Sequence, residues 1–386
     1  QAEGRGGRRP LRGGTRGLRL AGDKQPPLER TPLPDPARRD LLTGRLTFLH
    51  RSWGPLEPFD NAFPEILRHK GVHSHLVTDH YHYWEDGGAT YHNRYSTYEF
   101  VRGQESDAWK AMVQPPWERF REMYHPRQIE SDPPRPYLRY MANREFIREE
   151  KDFPSVQCFR HGFEFLDLNR EADDWLLQIE TFDPHEPFFA PERFREPFST
   201  GWTGPIRDWP RYGRVDELPE EAAELRANYY AIVALCDFLL GQLLDYFDRY
   251  DLWKDTALVV TTDHGFLLGE HDFWAKNRMN MYEEIVHVPL FVHDPRQPGA
   301  SRTDRLTQSI DIAPTLLALH GAAPPLECEG RSVLGPLGRE AALFGYFGGA
   351  VNVTDGRYTY HRYPRDLLNQ EIYQYTVMPT HIATPF

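Results

Sequence analysis

The spacing of hydrophobic residues predicts helices and strands that alternate along the chain. Residues 61–70 (NAFPEILRHK) have the spacing of a helix that ends at Gly71. In the following VHSHLVTD, apolar residues alternate with polar ones or follow one another, as in a strand. Residues 174–188 (DWLLQIETFDPHEPF) begin as a buried strand, which breaks at Asp183-Pro184. The first half therefore contains at least two strands separated by helical and irregular segments.

The second half repeats this alternation with longer elements. Apolar residues recur every three or four positions over about 219–249, which predicts a long amphipathic helix. Strands are predicted at 256–262 (TALVVTT) and 288–294 (VPLFVHD), and a capped helix at 309–321 (SIDIAPTLLALHG). Apolar strands that alternate with helices predict an α/β fold, in which a mostly parallel sheet lies between helices.

Three segments differ in composition from this pattern. Residues 1–31 are rich in Arg, Gly and Pro, and we expect them to be disordered or non-native; the main domain then spans 32–330. Residues 80–155 are rich in Tyr, His and Trp, and form either a substrate-lining insertion or a packed surface excursion. Residues 331–386 predict the start of a small antiparallel C-terminal subdomain.

Charge and composition argue against several kinds of partner. The net charge is −12, but residues 1–39 carry nine Arg and one Lys against four acidic residues, so the remainder carries −18. An acidic body argues against a nucleic-acid partner. No apolar run approaches the ~20 residues of a membrane span, so no membrane partner is expected. The three distant cysteines indicate no disulfide framework, and no signal peptide is visible, so the compartment stays open.

Two predicted strands end in side chains suited to binding ions. Asp183 and His185 follow LLQIETF, and Asp263 and His264 follow LVVTT. Ligands bind beyond the carboxyl ends of strands in an open parallel sheet. An Asp and a neutral His can ligate a divalent cation, and a hard ion such as calcium or magnesium prefers mainly oxygen ligands. Lys276, in a short loop further on, can balance an anion beside that metal, although each of these residues alone is more often a cap or a solvated group.

The order of the motifs is far more specific than any single motif. DPHEPF, TTDHGFLLGEH, WAK, MYEE, VPLFVHDP and SIDIAPTLLALHG follow one another along the chain. From about residue 32 to the end, this chain resembles the sulfatase family of the alkaline phosphatase superfamily. The resemblance implies hydrolysis of a sulfate ester with a divalent metal ion. Calcium is the expected ion, and magnesium or manganese are the alternatives.

The resemblance also implies roles for individual residues. Asp263 and His264 correspond to metal ligands, although the family often has Asn at the second position. Lys276 corresponds to the lysine that binds a sulfate oxygen. His185 corresponds to a histidine on the sulfate or leaving-group side.

A further family motif, G-K-x-H, falls on TDHYHYW (78–84), where the lysine is missing. Either His80 or His82 could serve in its place. The two histidines are equally compatible with a packed, hydrogen-bonded feature of the insertion.

Two departures from the family pattern concern the nucleophile and the metal. The family signature C-x-P-S/A-R-x-x-L-L-T-G aligns with PDPARRDLLTG (34–44), in which Arg38 matches the arginine that stabilises charge on the sulfuryl oxygens. Pro34 replaces the cysteine, which the family oxidises to formylglycine for attack on sulfur, and proline has no nucleophilic atom. Asp35 is displaced by one residue and is not expected to substitute. Asp23 lies in no apolar run, so the strand whose aspartates complete the family's metal site is not found.

These departures coincide with the change in composition near Pro36. We therefore expect that residues 1–35 are not the native start of the domain, and that a change of reading frame or a mistaken gene start explains them. Translating the other two frames upstream of the Pro36 codon tests this expectation.

Three functions remain open at this point. The leading one is a sulfatase-type hydrolase acting on a sulfate ester, such as a sulfated carbohydrate, with its activity impaired by Pro34. The second is a non-catalytic relative that binds anions or glycans. The third is a phosphodiesterase or phosphonate hydrolase of the same superfamily.

Overall fold

A three-stranded parallel sheet with helices on both faces carries the first two predicted strands. The structure is a computed structural model, which describes residues 37–129, 135–297, 299–336, 338–366 and 369–378. The predictions on residues 1–31 and on Asp23, Pro34 and Asp35 lie outside this range.

The strands are β1 (His73–Thr78), β2 (Thr97–Phe100), β3 (Trp175–Glu180), β4 (Gly213–Arg214), β5 (Leu258–Thr261), β6 (Leu267–Leu268), β7 (Phe273–Ala275), β8 (Leu290–His293), β9 (Ala342–Gly345), β10 (Val351–Thr354) and β11 (Thr359–Arg362). The α-helices are α1 (Ala37–Thr43), α2 (Phe63–His69), α3 (Trp117–Met123), α4 (Pro126–Ile129), α5 (Arg135–Arg144), α6 (Pro154–Leu168), α7 (Glu192–Arg195), α8 (Pro219–Tyr250), α9 (Glu283–Val286) and α10 (Ile312–Leu319).

The parallel sheet has the order β2-β1-β3, and its two faces are covered by different helices. Successive side chains of a strand point to opposite faces. Leu76 of β1 packs in a cluster with residues of α1, α2 and α10, whereas its neighbour Val77 packs with Cys158 of α6. This arrangement confirms the predicted α/β class.

Two features of the sheets differ from the sequence prediction. Strand β2 lies inside the 80–155 insertion and was not predicted, because its exposed residues lack a buried alternating face. Strands β5 and β8 were predicted in the parallel sheet, but they pair antiparallel with each other. They are only partly buried, and Phe291 of β8 is 66% exposed. An apolar run specifies a strand, whereas its pairing partner depends on the packing of the rest of the chain.

The long helix α8 forms where the spacing predicts it. By length and composition alone it could cross a membrane, which corrects the expectation that no apolar run is long enough. One face of α8 packs against Phe194 of α7 and against Phe159 of α6.

The described part of the C-terminal segment contains the predicted antiparallel element. Its three strands have the order β11-β10-β9, and the last two strands in sequence are joined through Asp355-Gly356. Gly356 has φ +84°, a conformation that glycine adopts without strain.

Candidate active site

The side chains singled out in the sequence meet beyond the carboxyl ends of three strands. His80 and His82 follow β1, His185 follows β3, and Asp263 and His264 follow β5. Lys276 lies directly after β7, and Arg38 lies in the first turn of α1.

Lys276 is the point at which two of these loops meet. Its Nζ lies 3.0 Å from Nε2 of His185 and 2.6 Å from Nε2 of His264. The Nδ1 atoms of the two imidazoles lie 2.8 Å and 2.9 Å from the backbone carbonyls of Glu186 and Gly265. If each Nδ1 donates to its carbonyl, each Nε2 carries a lone pair that accepts a hydrogen bond from the Lys276 ammonium. This arrangement leaves one N–H of the ammonium for an oxygen of a bound anion.

Burial holds His185 in its neutral form. It lowers the pKa of His185 to about 4, and the nearby charge of Lys276 acts in the same direction against the opposing carboxylate of Glu186. A neutral imidazole accepts a hydrogen bond from the Lys276 ammonium without electrostatic repulsion. The pair therefore forms a stable hydrogen-bonded unit at neutral pH.

Arg38 lies between two carboxylates. Its Nη1 donates to Oδ2 of Asp263 at 2.6 Å, and its Nε lies 3.0 Å from Oε1 of Glu180. Although burial acts in the opposite direction, the neighbouring positive charges, those of Arg38 and Lys276 among them, hold the pKa of Asp263 well below its usual range. Glu180 was not singled out in the sequence, since a Glu at a strand end has no distinguishing pattern.

His80 lies against the same group of charges. It is 4% exposed, and its pKa is well below the usual value because of burial and, next, the charge of Arg38. Its ring contacts those of His82 and Phe182 at centroid distances of 5.2 and 4.8 Å. His82 is turned toward Glu85, with Nδ1 2.6 Å from the carboxylate. Of the two histidines, His80 is thus the one surrounded by the other site residues.

The two predicted metal ligands are already engaged by cationic side chains. Arg38 contacts the Asp263 carboxylate, and Lys276 contacts Nε2 of His264. Within the part of the chain that the structure describes, no group of three or more His, Cys, Asp or Glu is arranged to hold a metal. Calcium takes about six to eight oxygen ligands. The described residues by themselves therefore do not fit a divalent ion.

We accordingly expect this chain to bind calcium weakly. Isothermal titration calorimetry should give a dissociation constant well above the micromolar range, because Asp263 and His264 are the only predicted metal ligands among the residues that the structure describes. Any heat of binding that remains should disappear in Asp263→Asn. Sub-micromolar binding would contradict this expectation and would indicate further ligands.

Two buried carboxyl groups lie beneath the site. Burial raises the pKa of Asp79 well above its usual value, and the pKa of Asp183 to about 6. Asp183 accepts hydrogen bonds from Ser155 Oγ at 2.6 Å and from Gln104 Nε2 at 3.0 Å. These bonds connect the loop after β3 to helix α6 and to the 80–155 insertion.

The Asp183→Asn variant tests this buried carboxyl. An unfolded Asp releases its proton near pH 3.8, whereas folded Asp183 keeps it to about pH 6, so its contribution to stability is lost as the pH rises through this window. The amide cannot ionise and can keep both hydrogen bonds. The free energy of unfolding of the variant, relative to the unsubstituted chain, should therefore rise by about 2–3 kcal/mol between pH 4 and pH 7.

Urea denaturation at pH 4, 5, 6 and 7 measures this trend. The exposed Asp173→Asn is the control for the same change of charge. A constant difference between Asp183→Asn and the unsubstituted chain would show that Asp183 is ionised in the folded state throughout the range.

Comparison with known proteins places this site in a family. The sulfatase family profile matches residues 31–322, which is more than half of the chain. The choline-sulfatase of Rhizobium meliloti (strain 1021) is 25% identical over 317 residues, covering 75% of this chain and 59% of that protein. Arylsulfatase K of Canis lupus familiaris is 36% identical over 121 residues, or 31% of this chain and 22% of that protein. The chain therefore spans less than two thirds of the length of these curated relatives.

Solved structures share the fold. A protein in complex with its substrate D-glucosamine-2-N,6-O-disulfate superposes with a TM-score of 0.61 at 15% identity, covering 87% of this chain and 80% of the other. The phosphonate monoester hydrolase of Agrobacterium radiobacter gives 0.63 at 18% identity, with 85% and 77% covered. At such identities the similarity concerns the fold alone.

Proposed function

This chain belongs to the sulfatase family, and we propose that its pocket binds the sulfate group of a sulfate ester. The observation that carries the proposal is the position of Lys276. Its ammonium lies between the imidazoles of His185 and His264, whose Nε2 lone pairs can accept its hydrogen bonds. Its Nζ lies 3.0 Å from Nε2 of His185 and 2.6 Å from Nε2 of His264. The family consists of hydrolases of sulfate esters, which generally use a divalent metal ion.

The side chains of the site would divide the binding of the ester between them. Lys276 would donate a hydrogen bond to a sulfuryl oxygen, and the ion pairs of Arg38 with Asp263 and Glu180 would hold its guanidinium at the rim of the same anion site. His185 would lie on the side of the leaving group. Sulfated small molecules and sulfated carbohydrates are both compatible with this arrangement.

Hydrolysis requires a nucleophile in addition to the anion site. The residue at the nucleophile position is Pro34, which has no nucleophilic atom. We therefore propose that this chain binds a sulfate ester without cleaving it at a measurable rate. This combines the sulfatase architecture with the behaviour of a non-catalytic binding protein.

Calorimetric titration with 4-nitrophenyl sulfate tests the proposal. We expect saturable binding that weakens as the salt concentration rises, because an ion-paired anion is screened by salt. 4-Nitrophenol, which has the same ring without the sulfate, should bind at least about tenfold more weakly, a difference of about 1.4 kcal/mol. 4-Nitrophenyl phenylphosphonate, binding much more tightly than the sulfate ester, would favour a phosphonate hydrolase instead. Equal binding of the phenol and the sulfate would contradict an anion site.

A further inference from the structure

The 80–155 insertion brings one carboxyl group, that of Glu105, to the side of the sulfate pocket. Nothing in the sequence pattern distinguishes Glu105 from the many other acidic residues of this segment. In the structure, its carboxyl group contacts the Tyr81 hydroxyl, and the rings of Tyr81 and Phe182 lead from there to His185.

The turn that presents Glu105 is held rigidly. The carboxylate of Asp107 accepts a hydrogen bond from the Gly103 backbone N–H at 2.8 Å and pairs with Arg102. Gln104 donates to Asp183 at 3.0 Å, which fixes the turn to the loop after β3. Glu105 itself has φ +46°, which is strained for a side chain of this kind and persists only where the surroundings enforce it. The Glu105 carboxyl is thus positioned by at least three contacts of its neighbours.

A row of aromatic rings connects Glu105 to the sulfate pocket. The Tyr81 hydroxyl donates a hydrogen bond of 3.3 Å to Glu105 Oε2. The Tyr81 ring stacks on Phe182 at 5.6 Å, and Phe182 contacts the ring of His185 at 5.3 Å. One hydrogen bond and two ring-to-ring contacts therefore connect Glu105 to His185 on the side proposed for the leaving group.

Carboxyl groups predominate around Glu105 on this side of the pocket. Glu85 and Glu186 are the charged groups that face Glu105 together with Lys276, and the Tyr81 hydroxyl is its hydrogen-bond donor. Burial, followed by the charge of Glu186, raises the pKa of Glu105 to about 8. A cation placed here would relieve the repulsion among the carboxylates.

We propose that Glu105 contacts the alcohol part of the bound ester and selects alcohols that carry a positively charged nitrogen. The ligand would be a zwitterion, whose sulfate lies at Lys276 and whose ammonium group lies at Glu105 and Tyr81. Amino sugars and small amino alcohols share this chemistry. The inference rests on the proposed sulfate pocket and names the class of ester that it accepts.

Two matched pairs of ligands test the inference by calorimetry at pH 7.5, where the charge of a bound cation lowers the pKa of Glu105 and favours its carboxylate form. Choline sulfate is compared with its neutral isostere 3,3-dimethylbutyl sulfate, and glucosamine 6-sulfate with glucose 6-sulfate. The unsubstituted chain should bind the cationic member of at least one pair about tenfold more tightly, as expected for one charge-assisted contact. The pair that shows the preference distinguishes a small amino alcohol from an amino sugar.

The variant Glu105→Gln should lower this preference to about twofold or less while leaving the affinity for the neutral member within about twofold, since only a charge is removed. Glu118→Gln, an exposed residue of the same insertion, is the matched control and should keep the full preference. Tyr81→Phe removes the hydroxyl that orients Glu105 and should weaken the preference in the same direction. It provides the test if thermal melting shows that Glu105→Gln does not fold.

The outcomes separate this inference from the proposed function. Equal binding of both members of both pairs would overturn the role of Glu105 and leave the sulfate pocket standing. A preference that survives both Glu105→Gln and Tyr81→Phe would also overturn it. If none of the four esters binds, the sulfate pocket itself is wrong and the inference is wrong with it.

Discussion

Replacing Lys276 with Ala should weaken the binding of 4-nitrophenyl sulfate by about 100-fold. The ammonium is a charged donor that lies between His185 and His264, and a hydrogen bond to a charged group contributes about 1.5–3 kcal/mol. After its removal, the lone pairs of the two Nε2 atoms would face the anion and repel it. Calorimetric titration of the variant measures the loss directly.

The exposed Lys70→Ala is the control for this experiment, since it removes the same charge at a distance from the pocket. It should change the affinity by no more than about twofold, because an exposed charge is screened by solvent and salt. Similar losses in the two variants would mean that the net charge of the protein, rather than the pocket, attracts the sulfate ester.

We expect no release of 4-nitrophenol from 4-nitrophenyl sulfate above the rate in buffer, with or without added calcium, magnesium or manganese. The family's covalent route begins with attack by a hydrated aldehyde, and Pro34 supplies no group for that step. The loss of the nucleophile removes the whole covalent pathway, so a small residual fraction of activity is not expected. The absorbance of the released nitrophenolate follows the reaction over hours at high protein concentration.

The unsubstituted chain and Lys276→Ala are assayed side by side. Metal-dependent turnover that disappears in Lys276→Ala would contradict the prediction and would require another nucleophile in the pocket. Turnover that is the same in both would come from a contaminating enzyme.

The sequence by itself determined the family and singled out the candidate site residues. The order of its motifs is specific because each strand end and each following loop has to supply a particular chemical group. The residues Asp263, His264, Lys276 and His185 were therefore identified without a structure, as were helix α8 and the α/β class. The sequence also shows that Pro34 stands at the position of the family's nucleophile, which bears on activity.

Tertiary structure alone decided which of these groups touch one another. The contact of Arg38 with Asp263 joins residues 225 positions apart, and its partner Glu180 has no motif at all. Strand β2 and the antiparallel pairing of β5 with β8 depend likewise on which surfaces remain for each strand to cover.

The approach of Glu105 to the pocket is the clearest case of this difference. Its position follows from Asp107, Gln104 and Asp183, whose hydrogen bonds connect an aperiodic insertion to the loop after β3. Local spacing records which face of an element is apolar, and so it predicts elements and strand ends. Contacts between distant loops depend on packing that no local pattern records, so the shape and charge of the leaving-group side became visible only in the folded chain.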